Sequence, residues 1–92
     1  MGDRGPLNPL HSVTVAGVKT VAPGNEQRKF LFYQNTSDTA QWLTVGGETP
    51  ALGVGILVAA NSPPIQFSDF RPVARVQVYC ASADKTYSCY EG

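Results

Sequence analysis

His11 is the single histidine of this 92-residue chain. It stands in the opening stretch MGDRGPLNPLHS, where Gly2, Gly5, Pro6 and Pro9 block regular structure. General base catalysis needs a base held in a fixed relation to its nucleophile. A mobile terminal segment holds nothing in place, so His11 reads as an exposed tail histidine outside any triad. The carboxylates are Asp3, Glu26, Asp38, Glu48, Asp69, Asp84 and Glu91. Most fall among turn residues, where water solvates them and Asp bonds the local backbone. No pair of them has a spacing that suits acid–base work. Two cysteines and one histidine do not make a zinc pattern, and the alternating acids of a calcium loop are missing. Gly46-Gly47 and the Gly53/Gly55 pair precede no helical pattern, so they read as turn geometry and not as phosphate cradles. The expectation is no catalytic residue, no metal and no cofactor.

Cys80 and Cys89 flank a turn centred on Asp84-Lys85. A two-residue hairpin there places them opposite one another, which leaves two readings open. One is a cross-strand disulfide. The other is a pair of buried reduced thiols, the form a cytoplasmic protein favours. Trp42, Tyr33, Tyr79, Tyr87 and Tyr90 have the ring chemistry to stack sugars or bases, but aromatic residues also prefer strands and fill small cores. Tyr79 and Tyr90 are the candidates for exposure, and exposed aromatics suit a protein interface.

These residues must be positioned by strands. Val13, Val15 and their neighbours alternate towards Val21, with Gly17 as an interruption and Ala22-Pro23-Gly24-Asn25 as a turn. In Phe30-Leu31-Phe32-Tyr33 two faces are both apolar, which predicts a strand covered on both sides. Asn35-Thr36-Ser37-Asp38 is a polar turn, and Ala40 to Val45 is a third strand. The short turn between them predicts a hairpin. Val54–Ala59 and Ile65-Gln66-Phe67 are further short strands, set apart by Asn61-Ser62-Pro63-Pro64. After the Arg71-Pro72 break, residues 73–80 place Ala74, Val76, Val78 and Cys80 on one face and Arg75, Gln77 and Tyr79 on the other. Thr86 to Tyr90 closes the chain. Seven or eight short strands at roughly ten-residue spacing predict an all-β antiparallel sandwich or small barrel. Residues 1–12 read as an extended N-terminal arm and residues 13–92 as one domain.

Composition narrows the function. Lys plus Arg number 7 and Asp plus Glu number 7, giving a net charge of zero. The basic residues are scattered, which argues against a nucleic-acid binder. Near-zero charge also does little to keep copies apart. No apolar run reaches the ~20 residues of a membrane helix, and the N-terminus has no secretory apolar core. The expectation is a soluble protein made in the cytoplasm.

Three stretches fall in an order that resembles small β-rich proteins of tailed-bacteriophage virions. They are Thr20-Val21-Ala22-Pro23-Gly24-Asn25, the run from Arg28 to Asp38 (RKFLFYQNTSD), and Leu43-Thr44-Val45-Gly46-Gly47, followed by a Gly-rich strand and a late hairpin. The likeness covers most of residues 13 to 92 and rests mainly on strand and turn chemistry. It implies a jelly-roll or related sandwich and a non-enzymatic role as a capsid decoration (cement) protein. Such a protein binds the major capsid protein at the virion surface, and because closed cyclic assemblies are the rule for homo-oligomers, a dimer or trimer is expected. A tail or head-fibre component and a carbohydrate-binding module are the alternatives. The resemblance carries no catalytic residues over. Leu7 and Leu10 in the arm, with Tyr79 and Tyr90, are the candidate protein-interface residues.

Overall fold

The computed structural model describes residues 8–67 and 73–92. Leu7, Asp69 and the Arg71-Pro72 break lie outside the described residues. Among the described residues there is no helix; nine strand segments form two antiparallel sheets. They are β1 (Asn8–Pro9), β2 (Ser12–Val13), β3 (Gly17–Ala22), β4 (Leu31–Asn35), β5 (Gln41–Thr44), β6 (Ile56–Val58), β7 (Ile65–Phe67), β8 (Val76–Cys80) and β9 (Thr86–Glu91). The first sheet runs β1–β9–β4–β7, with β2 also on β9; the second runs β3–β8–β5–β6. Because β1 pairs with Tyr90 and Glu91 while β2 pairs with Thr86 and Tyr87, the two short segments lie end to end along one strand. The nine segments therefore fill eight strand positions, four to a sheet.

Period-two alternation decides what lies between the sheets. Leu31 and Tyr33 of β4, with Tyr87 and Cys89 of β9, are buried from the first sheet. Val76 and Val78 of β8, Leu43 of β5, Val58 of β6 and the β3 residues Val21 and Ala22 meet them from the second. Each large aliphatic side chain buried this way contributes about 1.5–3 kcal/mol. Tyr33 and Tyr87 stack in this layer with ring centroids 5.4 Å apart.

The connections differ from the hairpins that the sequence suggests. The β4–β5 turn does not fold back within one sheet: it carries the chain from the first sheet to the second. Asn35 and Ser37 make this crossing stable from inside. Asn35 Nδ2 donates to Thr39 O at 2.8 Å and to Val58 O at 2.9 Å, and Ser37 Oγ donates to Asn35 Oδ1 at 2.7 Å. These bonds satisfy buried backbone groups that a turn exposed to water leaves to solvent. The β8–β9 connection also crosses, so Cys80 and Cys89 belong to different sheets and are not hairpin neighbours. Both are buried free thiols.

The apparent strand from Val13 to Val21 is likewise two strands in two sheets. Gly17, at φ +114°, sits where the chain enters β3. Thr14 fixes the crossing: its N–H donates to Lys85 O, its carbonyl accepts from Asp84 N–H, and its hydroxyl donates to Ser82 O at 2.7 Å. Asp84 holds a left-handed φ of 61° there. Residues 8, 9 and 12, part of the expected arm, pair with β9 of the same chain.

Candidate functional site

Two polar clusters lie inside the sandwich, and both are structural in form. In the first, Tyr33 Oη donates to Gln41 Oε1 at 2.5 Å, and Gln41 Nε2 donates to Asn35 Oδ1 at 3.0 Å. Burial pushes the Tyr33 hydroxyl above its ordinary range, with Tyr87 and the two cysteines adding to the effect, so it stays a donor. In the second, Arg28 Nε donates to Glu91 Oε1 at 2.9 Å, and Arg28 Nη1 donates to Ala74 O at 3.0 Å. Among the described residues every buried side-chain nitrogen and oxygen has a hydrogen-bond partner.

The histidine has a fixed place after all. Its Nδ1 accepts the Cys89 backbone N–H at 3.1 Å, and its ring meets Tyr90 edge-on with centroids 4.6 Å apart. His11 thus substitutes for a backbone acceptor on the outer side of β9, where the β1–β2 edge is broken. Among the described residues no three His, Cys, Asp or Glu side chains group as metal ligands. Burial above all, against the opposing effect of Arg28 and with a contribution from Glu91, pushes the Cys89 thiol up to about 12. A thiol held protonated is a poor nucleophile.

Three of the four predicted interface residues are described, and they lie on different parts of the fold. Leu7 lies outside the described residues. Leu10 packs half-buried against the protein's own core, and its N–H donates to Cys89 O at 2.7 Å. Tyr90 is half-buried on the outer side of the first sheet, edge-on to Phe32 at 5.6 Å between centroids. Tyr79 is half-buried on the outer side of the second sheet, between buried Val78 and Cys80.

Around Tyr79 the register builds a patch. Val18 pairs with Tyr79, Tyr79 with Trp42, and Trp42 with Leu57. One cross-strand row, Val18–Tyr79–Trp42–Leu57, therefore spans all four strands of the second sheet on its outer face. Directly opposed residues in adjacent strands have Cβ atoms about 4.5–5.5 Å apart, close enough for neighbouring rings and branched chains to touch. Two residues further along the four strands stand Ala16, Ala81, Ala40 and Ala59, each exposed. On the other side runs the polar row Thr20–Gln77–Thr44. Gln77 Nε2 donates to Thr20 Oγ1, and Arg75 Nε donates to Gln77 Oε1 at 3.1 Å. The aromatic row itself contains no charged residue. Alternation alone points Tyr79 outward; the structure adds Trp42. Val18 and Leu57 become part of the same feature only through the strand register, which no local pattern carries.

An apolar row with aromatic centre, small flanking residues and a polar border can bury against another surface. No protein-family model, no curated protein and no solved structure matches this chain.

Proposed function

We propose that this chain is a non-enzymatic structural protein of a tailed-phage virion, a capsid decoration protein that seats the outer face of its second sheet on the lattice of the major capsid protein. The uncharged Val18–Tyr79–Trp42–Leu57 row carries the reading. The cores of protein interfaces are depleted in charge and enriched in aromatic residues, with a polar rim, and this face has that layout. The strand order supports a jelly roll. With β1 and β2 taken as one strand, the order first–eighth–third–sixth faces second–seventh–fourth–fifth, so all but one connection passes between the sheets. Double-sheet jelly rolls of this kind recur in viral capsid and lectin domains. A lattice offers many identical sites, and each copy need bury only about 800 Å² to bind specifically.

Binding of the purified protein to empty shells of its source particle tests the reading. The full chain co-sediments with shells, and Tyr79→Lys, which sets a charge in the centre of the row, abolishes co-sedimentation while the fold persists. Full binding by the Tyr79→Lys protein removes the support. Copy number per particle separates the shell role (many copies) from a tail or head-fibre role (few).

A carbohydrate-binding module is the second reading, favoured by one observation: Trp42 and Tyr79 are direct cross-strand neighbours on an open face. It predicts glycan-array binding that Trp42→Ala eliminates.

A further inference from the structure

Every open sheet has edge strands whose outer backbone groups invite another chain, and proteins guard them with lysines, prolines, bulges or shortness. Three of the four edges here carry such guards. β3 holds Lys19, whose ammonium bonds Ser12 Oγ and Val13 O, and its register shifts between Thr20 and Ala22. The β1–β2 edge contains Pro9 and is interrupted between its two segments. β7 follows directly on Pro63-Pro64. The fourth edge, β6, has neither charge, proline nor bulge; its length of three residues is its one protection.

The chain around β6 is also neutral over an unusual distance. Residues 49 to 68 contain no Asp, Glu, Lys or Arg, in a sequence with 14 such residues (7 basic plus 7 acidic). Within this stretch Leu52 is 76% exposed, Leu57 52% and Ile56 39%. Leu52 and Val54 lie in the loop that runs straight into β6, so the exposed apolar surface continues past the strand itself. Gly55 lets the loop approach: it holds φ +117°, and a Cβ there would stand 2.7 Å from the Leu43 carbonyl oxygen. The backbone is thereby pressed against β5 on one side and left open on the other.

We infer that β6 is a self-association edge, on which the occupant is the β6 strand of a second copy, paired antiparallel about a two-fold axis. A second copy fits because the edge is neutral and apolar, and the chain's net charge is zero, so two identical edges meet without repulsion. A two-fold axis makes the contact self-complementary and closes it at two chains. The two four-stranded sheets then join into one of eight strands (4 + 4), and the aromatic rows of both copies line up on a single face. This pairing is independent of what that face binds.

Sedimentation velocity on the purified full chain, over about a hundredfold range of concentration, tests it. The wild type shows a monomer–dimer equilibrium. Leu57→Lys and Ala59→Lys, both at exposed positions of this edge, each raise the dimer dissociation constant about tenfold or more. Val18→Lys, on the same face but at the guarded opposite edge, leaves the constant unchanged. Circular dichroism confirms that each variant keeps its strands. A wild type that stays monomeric overturns the proposal. So does a dimer that survives both edge lysines. A dimer lost equally in Val18→Lys overturns it in favour of face-to-face stacking.

Discussion

Arg28 and Glu91 are 63 residues apart and form an ion pair at 2.9 Å in which the Arg28 side chain is fully buried. The pair ties the segment before β4 to the end of β9, and Arg28 reaches on to the carbonyls of Pro23 and Ala74. Lys29 and Phe30 donate their N–H groups to Gly92 O beside it, so the last residues of the chain belong to the sheet. Removing one partner of a buried pair strands the other charge. Glu91→Ala is therefore expected to destabilise the fold by about 3 kcal/mol or more, read from the urea midpoint. An Arg28→Met/Glu91→Leu double variant loses much less, because no charge is left buried.

Tyr33→Phe removes the donor that Gln41 Oε1 accepts and leaves that oxygen in the core without its partner. The cost is about 1–3 kcal/mol. The companion variant Gln41→Leu, which strands Tyr33 Oη and removes one donor each from Asn35 Oδ1 and Thr86 O, is expected to cost more. Equilibrium denaturation of the two variants measures the order.

Gly55→Ala meets two obstacles, a left-handed φ of +117° and a contact of 2.7 Å with Leu43 O. A non-glycine residue in such a region costs of order 1–3 kcal/mol before any clash is counted. The β5–β6 pairing is expected to loosen, with faster hydrogen exchange at Ile56–Val58 than in the wild type. Gly53→Ala has the same sign of φ but nothing within 4 Å, so its effect is the smaller of the two.

Alkaline pH acts through Cys89. Its thiol is raised from an ordinary 9.0 to about 12, mainly by burial. Between these values the unfolded chain has lost a proton that the folded chain keeps, so stability is full below pH 9 and falls as pH rises towards 12. The slope from this one group is up to about 1.4 kcal/mol per pH unit. Tyr33 and Tyr87, both raised by burial, steepen the fall above their ordinary value of 10.0. Urea titrations at about pH 8 and about pH 11 measure the slope, and Cys89→Ala flattens it.

Much of the local structure was legible along the chain. Val76, Val78 and Cys80 alternate with Gln77 and Tyr79, and the structure buries the first set; in Phe30–Tyr33 both faces read as apolar, and the structure buries Leu31 and Tyr33 while Phe32 stays half-buried. Turn chemistry marked where strands stop. The outward direction of Tyr79 followed from the same periodicity. The fully buried Arg28 was not legible: beside Lys29 it looks like surface charge, and its partner stands at the far end of the sequence.

What the sequence by itself determined is where most of the strands lie and, in β8, the face turned inward, because side-chain alternation is a property of one extended segment. What only the tertiary structure decided is which strands share a sheet. A connection of about five residues reaches a neighbouring strand about 5 Å away or the opposing sheet about 10 Å away with equal ease, and the inward face is the same in both cases. The β4–β5 and β8–β9 turns therefore looked like hairpins and are crossings, and Cys80 and Cys89 sit in opposite sheets. The Val18–Tyr79–Trp42–Leu57 row exists for the same reason: it is made by the register of four strands drawn from across the chain, and no segment contains it.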